Sequence, residues 1–116
     1  MNILLADDSP TLRRAVASLL ESEGHRVIEA GDGVEAIVEF SSRRPDLVIV
    51  DADMPRLGGH AVCRLLKEDP STAAVPVLML TGRDQASDEY WSDRSGADGY
   101  MVKQQASEDL VATVNT

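Results

Sequence analysis

Four apolar residues, Leu47, Val48, Ile49 and Val50, run without alternation into Asp51, and no other stretch limits the fold as tightly. A short β-branched run of this kind fits a strand buried on both faces, the pattern of a parallel sheet covered by helices on each side. Polarity returns with Asp51 and Asp53, and Pro55 ends the extended segment. A carboxylate therefore stands at the carboxyl end of a central strand, the edge where open parallel sheets bind ligands. Asp51 is the candidate reactive residue.

The remaining chain supplies the layers around that strand. Residues 2–6 (NILLA) form a second apolar run, ended by Asp7-Asp8-Ser9-Pro10. Ser9 is placed to cap a helix with Pro10 at its first position, where the missing N–H costs nothing. Leu12, Val16, Leu19 and Leu20 share one face of that helix, and Gly24 stops it. Arg26 to Ala30 reads as an outer strand, and Gly31-Asp32-Gly33 as a turn. A second helix is expected to turn Val34, Ile37, Val38 and Phe40 inward. After Asp53, residues 54–59 form a loop whose glycines supply torsion angles that other residues resist. A helix over 60–68 is expected to bury Val62, Leu65 and Leu66. Val77 to Leu80 is a fourth strand, ending at Thr81-Gly82. A helix over 84–95 with a weak inward pattern follows, carrying Trp91 as a contact or core-edge aromatic, and Gly96 is placed to cap it. Gly99 to Val102 is the fifth strand, then Lys103 and a short helix over 107–114. Five alternations of strand and helix imply a parallel sheet with helices on both faces.

In such a sheet the strand ends converge. Asp7 and Asp8 end the first strand, Asp51 the third, Thr81 the fourth and Lys103 the fifth. Each is ordinary alone: an acidic pair ahead of a helix is commonly a cap, and a threonine after a strand a turn residue. Together they suit one chemistry. Crowded carboxylates repel one another, and a hard divalent cation relieves them. Magnesium fits, because it accepts one or two carboxylates and leaves a position for a phosphate oxygen. Asp51 is then a usable nucleophile towards phosphorus, with Thr81 and Lys103 available to the phosphoryl oxygens.

With 116 residues the chain reads as one domain, residues 1–116, without repeat or linker. The 20 acidic against 11 basic residues give a net charge of −9, which disfavours direct nucleic-acid binding and favours a cation or a basic partner. A single cysteine, Cys63, excludes an internal disulfide and agrees with the cytoplasm, and no apolar stretch reaches membrane-spanning length. Cys63 lies in an apolar helical pattern and is expected to be an inert buried thiol. His25 and His60 lack ligand spacing.

These motifs resemble those of response regulator receiver domains of two-component systems, over nearly the whole chain. Asp7-Asp8 matches the family's acidic pair, and VDADMP its phosphorylation segment around Asp51. LTG at 80–82 matches the hydroxyl position, and GADGYMVK at 96–103 the final strand with Tyr100 and Lys103. The resemblance implies a flavodoxin-like sheet of order 2-1-3-4-5 with five helices, the last one short. It implies that a histidine kinase or a histidine phosphotransfer protein donates a phosphoryl group to Asp51. It further implies that Asp8 and Asp51 bind Mg2+ directly, the Asp53 backbone carbonyl adds a ligand, and Asp7 acts through water. Thr81 and Tyr100 would then switch the surface of the fourth helix, fifth strand and fifth helix towards a downstream target or output domain. Such a switch catalyses its own phosphorylation but turns over no diffusible substrate.

Three features depart from the family. Gln104 follows Lys103 where proline is usual, and a cis bond to Gln costs several kcal/mol, so the Lys103–Gln104 bond is expected to be trans. Asp53 adds a carboxylate that repels phosphate, pairs with Arg83, or positions water and alters phosphoryl lifetime; the sequence leaves these open. The last helix is short, as in a domain excised from a longer protein or one with a curtailed end, and Gly82 should leave the site open. Two other functions compete. One is a pseudo-receiver that binds a partner without phosphorylation. The other is a phosphohydrolase of the haloacid-dehalogenase type, imitated by Asp51-x-Asp53, Thr81 and Lys103. Against the latter, Asp7-Asp8 precedes the nucleophile and the chain lacks room for a cap domain.

Overall fold

The apolar runs become five strands: β1 (Asn2–Ala6), β2 (Arg26–Ala30), β3 (Leu47–Asp51), β4 (Val77–Thr81) and β5 (Gly99–Val102). They pair in the order β2-β1-β3-β4-β5, all parallel, which is the expected flavodoxin-like arrangement. This computed structural model describes residues 1–81 and 96–102, with the backbone alone for Thr81, Tyr100 and Val102. Three helices are described: α1 (Pro10–Ser22), α2 (Gly33–Arg43) and α3 (Gly59–Glu68). The expected helices over 84–95 and 107–114, with Trp91, lie outside the described residues. Among the described residues no helix is long and apolar enough to cross a membrane.

The unbroken apolar spelling of β1 and β3 follows from burial on two faces. In β1, Ile3 and Leu5 pack with Val16, Ala17 and Leu20 of α1, while Leu4 and Ala6 pack with Ala36 and Phe40 of α2 and Val62, Cys63 and Leu66 of α3. In β3, Ile49 joins the α1 side and Val48 and Val50 the α2–α3 side. Each large aliphatic side chain removed from water contributes about 1.5–3 kcal/mol, which holds the central strands rigid beneath the site. β2 lies at the sheet edge and is only partly buried, as its short mixed sequence suggested.

Local chemistry sets the helix ends. The Ser9 hydroxyl accepts the Leu12 N–H (3.3 Å), and Pro10 opens α1. Gly24, at φ +91°, makes the left-handed exit that a side chain would resist. Two helix faces differ from expectation. Val34 and Val38 point outward at 40% and 57% exposure, and Gly33, Ala36 and Phe40 fill the inward stripe. On α3, Leu65 is 51% exposed, and Gly59, Val62, Cys63 and Leu66 face the sheet. Both stripes begin at a glycine that packs against another segment's backbone. A Cβ on Gly33 would overlap the Leu57 carbonyl, and one on Gly59 the Asp51 carbonyl. Those close approaches fix the rotation of each helix about its axis.

Candidate functional site

Register brings the acids together. Ala6 of β1 pairs with Val50 of β3, so Asp7 and Asp51 leave neighbouring strands at the same level. Both are 1% exposed, whereas Asp8 is exposed. One carboxylate oxygen from each of Asp7, Asp8 and Asp51 lies within 4.8 Å of the others. At an effective dielectric constant near 20, two ionised groups about 4 Å apart repel by roughly 4 kcal/mol. The cluster stands where sequence reasoning expected it.

The backbone around the cluster is pinned from several directions. The Asp7 N–H donates to the Ala30 carbonyl (3.0 Å), and the Asp7 carbonyl accepts Arg13 Nη1 (2.7 Å). The Ser9 N–H donates to Asp7 Oδ1 (2.9 Å), and the Asp53 N–H to Asp51 Oδ1 (3.1 Å). Past Asp51, the Ala52 N–H donates to the Leu80 carbonyl (2.7 Å) and the Gly59 N–H to the Ala52 carbonyl (3.1 Å). Gly59 sits where only a hydrogen fits against the Asp51 carbonyl. The acceptor candidate is thus held at a strand end whose following loop returns tightly over it.

Asp51 pairs with Leu80, so Thr81 ends β4 one residue beyond that level, and Thr81 in turn pairs with Val102. Tyr100 pairs with Met79 within β5. Gly82, Arg83, Lys103 and Gln104 lie outside the described residues. Asp53 is exposed on the loop. That loop also corrects an expectation: its left-handed residue is Arg56 (φ +65°), whereas Gly58 takes an ordinary φ of −73°. The glycines there serve close approach instead.

Three contributors were not foreseen. Arg13 holds the Asp7 backbone. Asp32 caps α2 by accepting the Glu35 N–H (2.8 Å), and it also accepts Arg56 Nε (3.0 Å) and Nη2 (2.7 Å). The Glu35 N–H first, and then Arg56, hold the Asp32 carboxyl below the usual carboxylate range. The only sequence signal was Asp32 ahead of an apolar helix; nothing marked Arg56 as its partner.

The donor set consists of carboxylate oxygens, the chemistry that hard divalent cations accept and softer metals do not require. Two buried acids beside an exposed one give such an ion a path from solvent.

Comparison with known proteins agrees with this geometry. The response regulator receiver domain family matches residues 3–115. Protein PilH of Pseudomonas aeruginosa is 38% identical over 113 residues, covering 97% of this chain and 93% of that protein. The chain spans only 14% to 48% of several longer curated relatives. Among solved structures, chemotaxis response regulator CheY4 of Vibrio cholerae superposes with a TM-score of 0.91 at 30% identity, covering 98% of this chain and 95% of that one. The Mn(2+)-bound form of response regulator Rcp1 gives a TM-score of 0.83 at 27% identity, over 97% of this chain and 88% of its own. Receiver domains bind Mg2+ at an acidic pocket, and the cluster of Asp7, Asp8 and Asp51 is consistent with one. On sequence, topology and acidic pocket alike, the chain belongs to the response regulator receiver domains, the phosphoacceptor switches of two-component systems.

Proposed function

We propose that Asp51 is the phosphoacceptor and that Asp7, Asp8, Asp51 and the Asp53 carbonyl form the Mg2+ site. The observation that carries this reading is the convergence of three carboxylates, two of them buried, at the end of β1 and β3. An oxygen of Asp51 attacks phosphorus, and the bond from phosphorus to the donor's leaving group breaks, that group departing with the bonding electrons. With a phosphohistidine donor the imidazole nitrogen takes the pair. Mg2+ bound at the acids would offset their charge and that of the phosphoryl oxygens. Thr81 and Lys103 are assigned to those oxygens. Thr81 and Tyr100 form the switch, and Asp53 and Arg83 modulate phosphoryl lifetime.

The module acts in the cytoplasm, receiving from a histidine kinase or a histidine phosphotransfer protein. It passes the signal to a downstream protein or an attached output domain, without turning over a diffusible substrate. Converting a population from nearly all inactive to nearly all active requires the phosphorylated form to favour the active state by roughly 5.5 kcal/mol. Acetyl phosphate with Mg2+, followed by intact-mass measurement, tests the assignment. One phosphoryl adduct on the wild type, absent from Asp51→Asn, is expected. No adduct on the wild type would point to a phosphorylation-independent binding module, and repeated release of phosphate from an ester would point to a hydrolase.

A further inference from the structure

Arg56 occupies a conformation its side chain does not favour, and the reason lies across the pocket. The Leu57 N–H donates to the Pro55 carbonyl (2.7 Å), closing a three-residue turn on Arg56 at φ +65°. Such a turn with positive φ at its centre is rare and strained, and a strained residue that persists is over-determined by its surroundings. Two contacts do the determining. The guanidinium places Nε and Nη2 on the same oxygen of Asp32, at 3.0 and 2.7 Å. The next residue's carbonyl, that of Leu57, is pressed against Gly33 so closely that no side chain fits there. The loop after Asp51 is therefore braced on the turn that follows β2.

Those contacts complete a ring. Asp7 is tied to Ala30 through its N–H (3.0 Å), and Asp32 follows Ala30 by two residues. Asp32 holds Arg56, Arg56 lies three residues past Asp53, and the Asp53 N–H donates to Asp51 Oδ1 (3.1 Å). On that side the Asp32–Arg56 pair bridges, by side chains, the backbone segments that flank the acids. Arg56 is 61% exposed and Asp32 16%, so the bridge is anchored on one partner and open to solvent on the other.

We propose that Asp32 and Arg56 form a clasp that positions the loop after Asp51, and with it the Asp53 carbonyl, for divalent-cation binding. Both act through the loop and are positioning residues. The inference rests on the metal-site assignment made above, and it extends that assignment to two residues outside the acidic cluster.

Mg2+ titration of the unphosphorylated chain by calorimetry, well below the melting temperature, tests it. An exposed, partly anchored ion pair leads us to expect about two- to five-fold weaker Mg2+ binding in Arg56→Ala. Asp32→Asn retains the helix cap and should fall between wild type and Arg56→Ala, and the double variant should be no worse than Arg56→Ala alone. Arg56→Gly separates clasp from strain. It accepts the left-handed conformation freely yet has no guanidinium, so the clasp requires it to bind as weakly as Arg56→Ala. Arg56→Lys should recover part of the affinity. If Arg56→Ala and Arg56→Gly bind Mg2+ like the wild type, and only their melting temperatures shift, the pair is merely structural and the clasp is wrong. If the wild type itself binds no Mg2+, the metal-site assignment fails and the clasp with it, an outcome distinct from the first.

Discussion

At the amino end of the sheet, Asp46 accepts the Asn2 N–H (2.8 Å), and Asp98 accepts both the Val77 N–H (2.8 Å) and Lys67 Nζ (2.7 Å). These two acids flank a cavity of about 260 Å³ whose other walls include Leu47, Pro76, Val77 and Leu78. At the carboxyl end, Asp7, Asp8 and Asp51 face one another. The same residue type serves as a staple at one end and accumulates charge at the other. A carboxylate engaged by an N–H and an ammonium stabilises the fold, whereas carboxylates set close to one another favour a positive species beside them. Position along the strand therefore tells more about an aspartate's role than its presence does.

The sharpest contrast lies in chemistry. Asp51→Asn should abolish the phosphoryl adduct entirely, while Asp46→Asn and Asp98→Asn, at the other end, should keep it; intact mass after acetyl phosphate treatment decides. Glycines offer the next largest difference. Gly59→Ala drives a methyl group into the Asp51 carbonyl, backbone against backbone, and should cost about 3 kcal/mol in urea unfolding. Gly24→Ala meets no atom within 4 Å and suffers only its positive φ, so about 1 kcal/mol is expected. Equal losses would mean that close approach at the acceptor strand is unimportant.

Removing charge should act with opposite sign at the two ends. Asp98→Ala strands the Val77 N–H and leaves Lys67 Nζ with the Ala73 and Val75 carbonyls alone, and should lower stability by about 1–2 kcal/mol. Asp7→Asn, measured in chelator, should raise it by about 1 kcal/mol by relieving the crowded acids. Added Mg2+ should then stabilise the wild type more than that variant. A loss of stability in Asp7→Asn would show that its hydrogen bonds outweigh the repulsion.

The smallest effect concerns acid. Asp32 has a lowered pKa, so the unfolded chain binds this proton more readily than the folded one. Its contribution is present above the ordinary carboxylate value of 3.8 and is lost as pH falls through the lower folded value. Asp32→Asn should therefore flatten the acid limb of stability against pH, and an unchanged limb in urea titrations would contradict the shift.

Much of this was legible before any coordinates. Leu47–Val50 and residues 2–6 announced doubly buried strands, and the acids that end them had to meet once those strands were neighbours. The helix faces were less legible. α2 carries Val34, Ile37, Val38 and Phe40, which contain two interleaved stripes, and composition alone does not choose between them. Gly33 chose, through its contact with Leu57, 24 residues away in the chain. Arg56 with Asp32 and Lys67 with Asp98 were illegible for the same reason. They join positions 24 and 31 residues apart in the chain, and neither arginine nor lysine advertises its partner.

Because β3 is greasy on both sides, alternation between core and solvent does not police its alignment. Sliding it by one residue would exchange aliphatics of similar size across the sheet at modest cost, until Asp51 was drawn into the place of Val50 beneath the second helix layer. An ionisable group there would have no water and no counter-charge. Asp51, proposed above as the phosphoacceptor, thus also disfavours a register slipped by one residue.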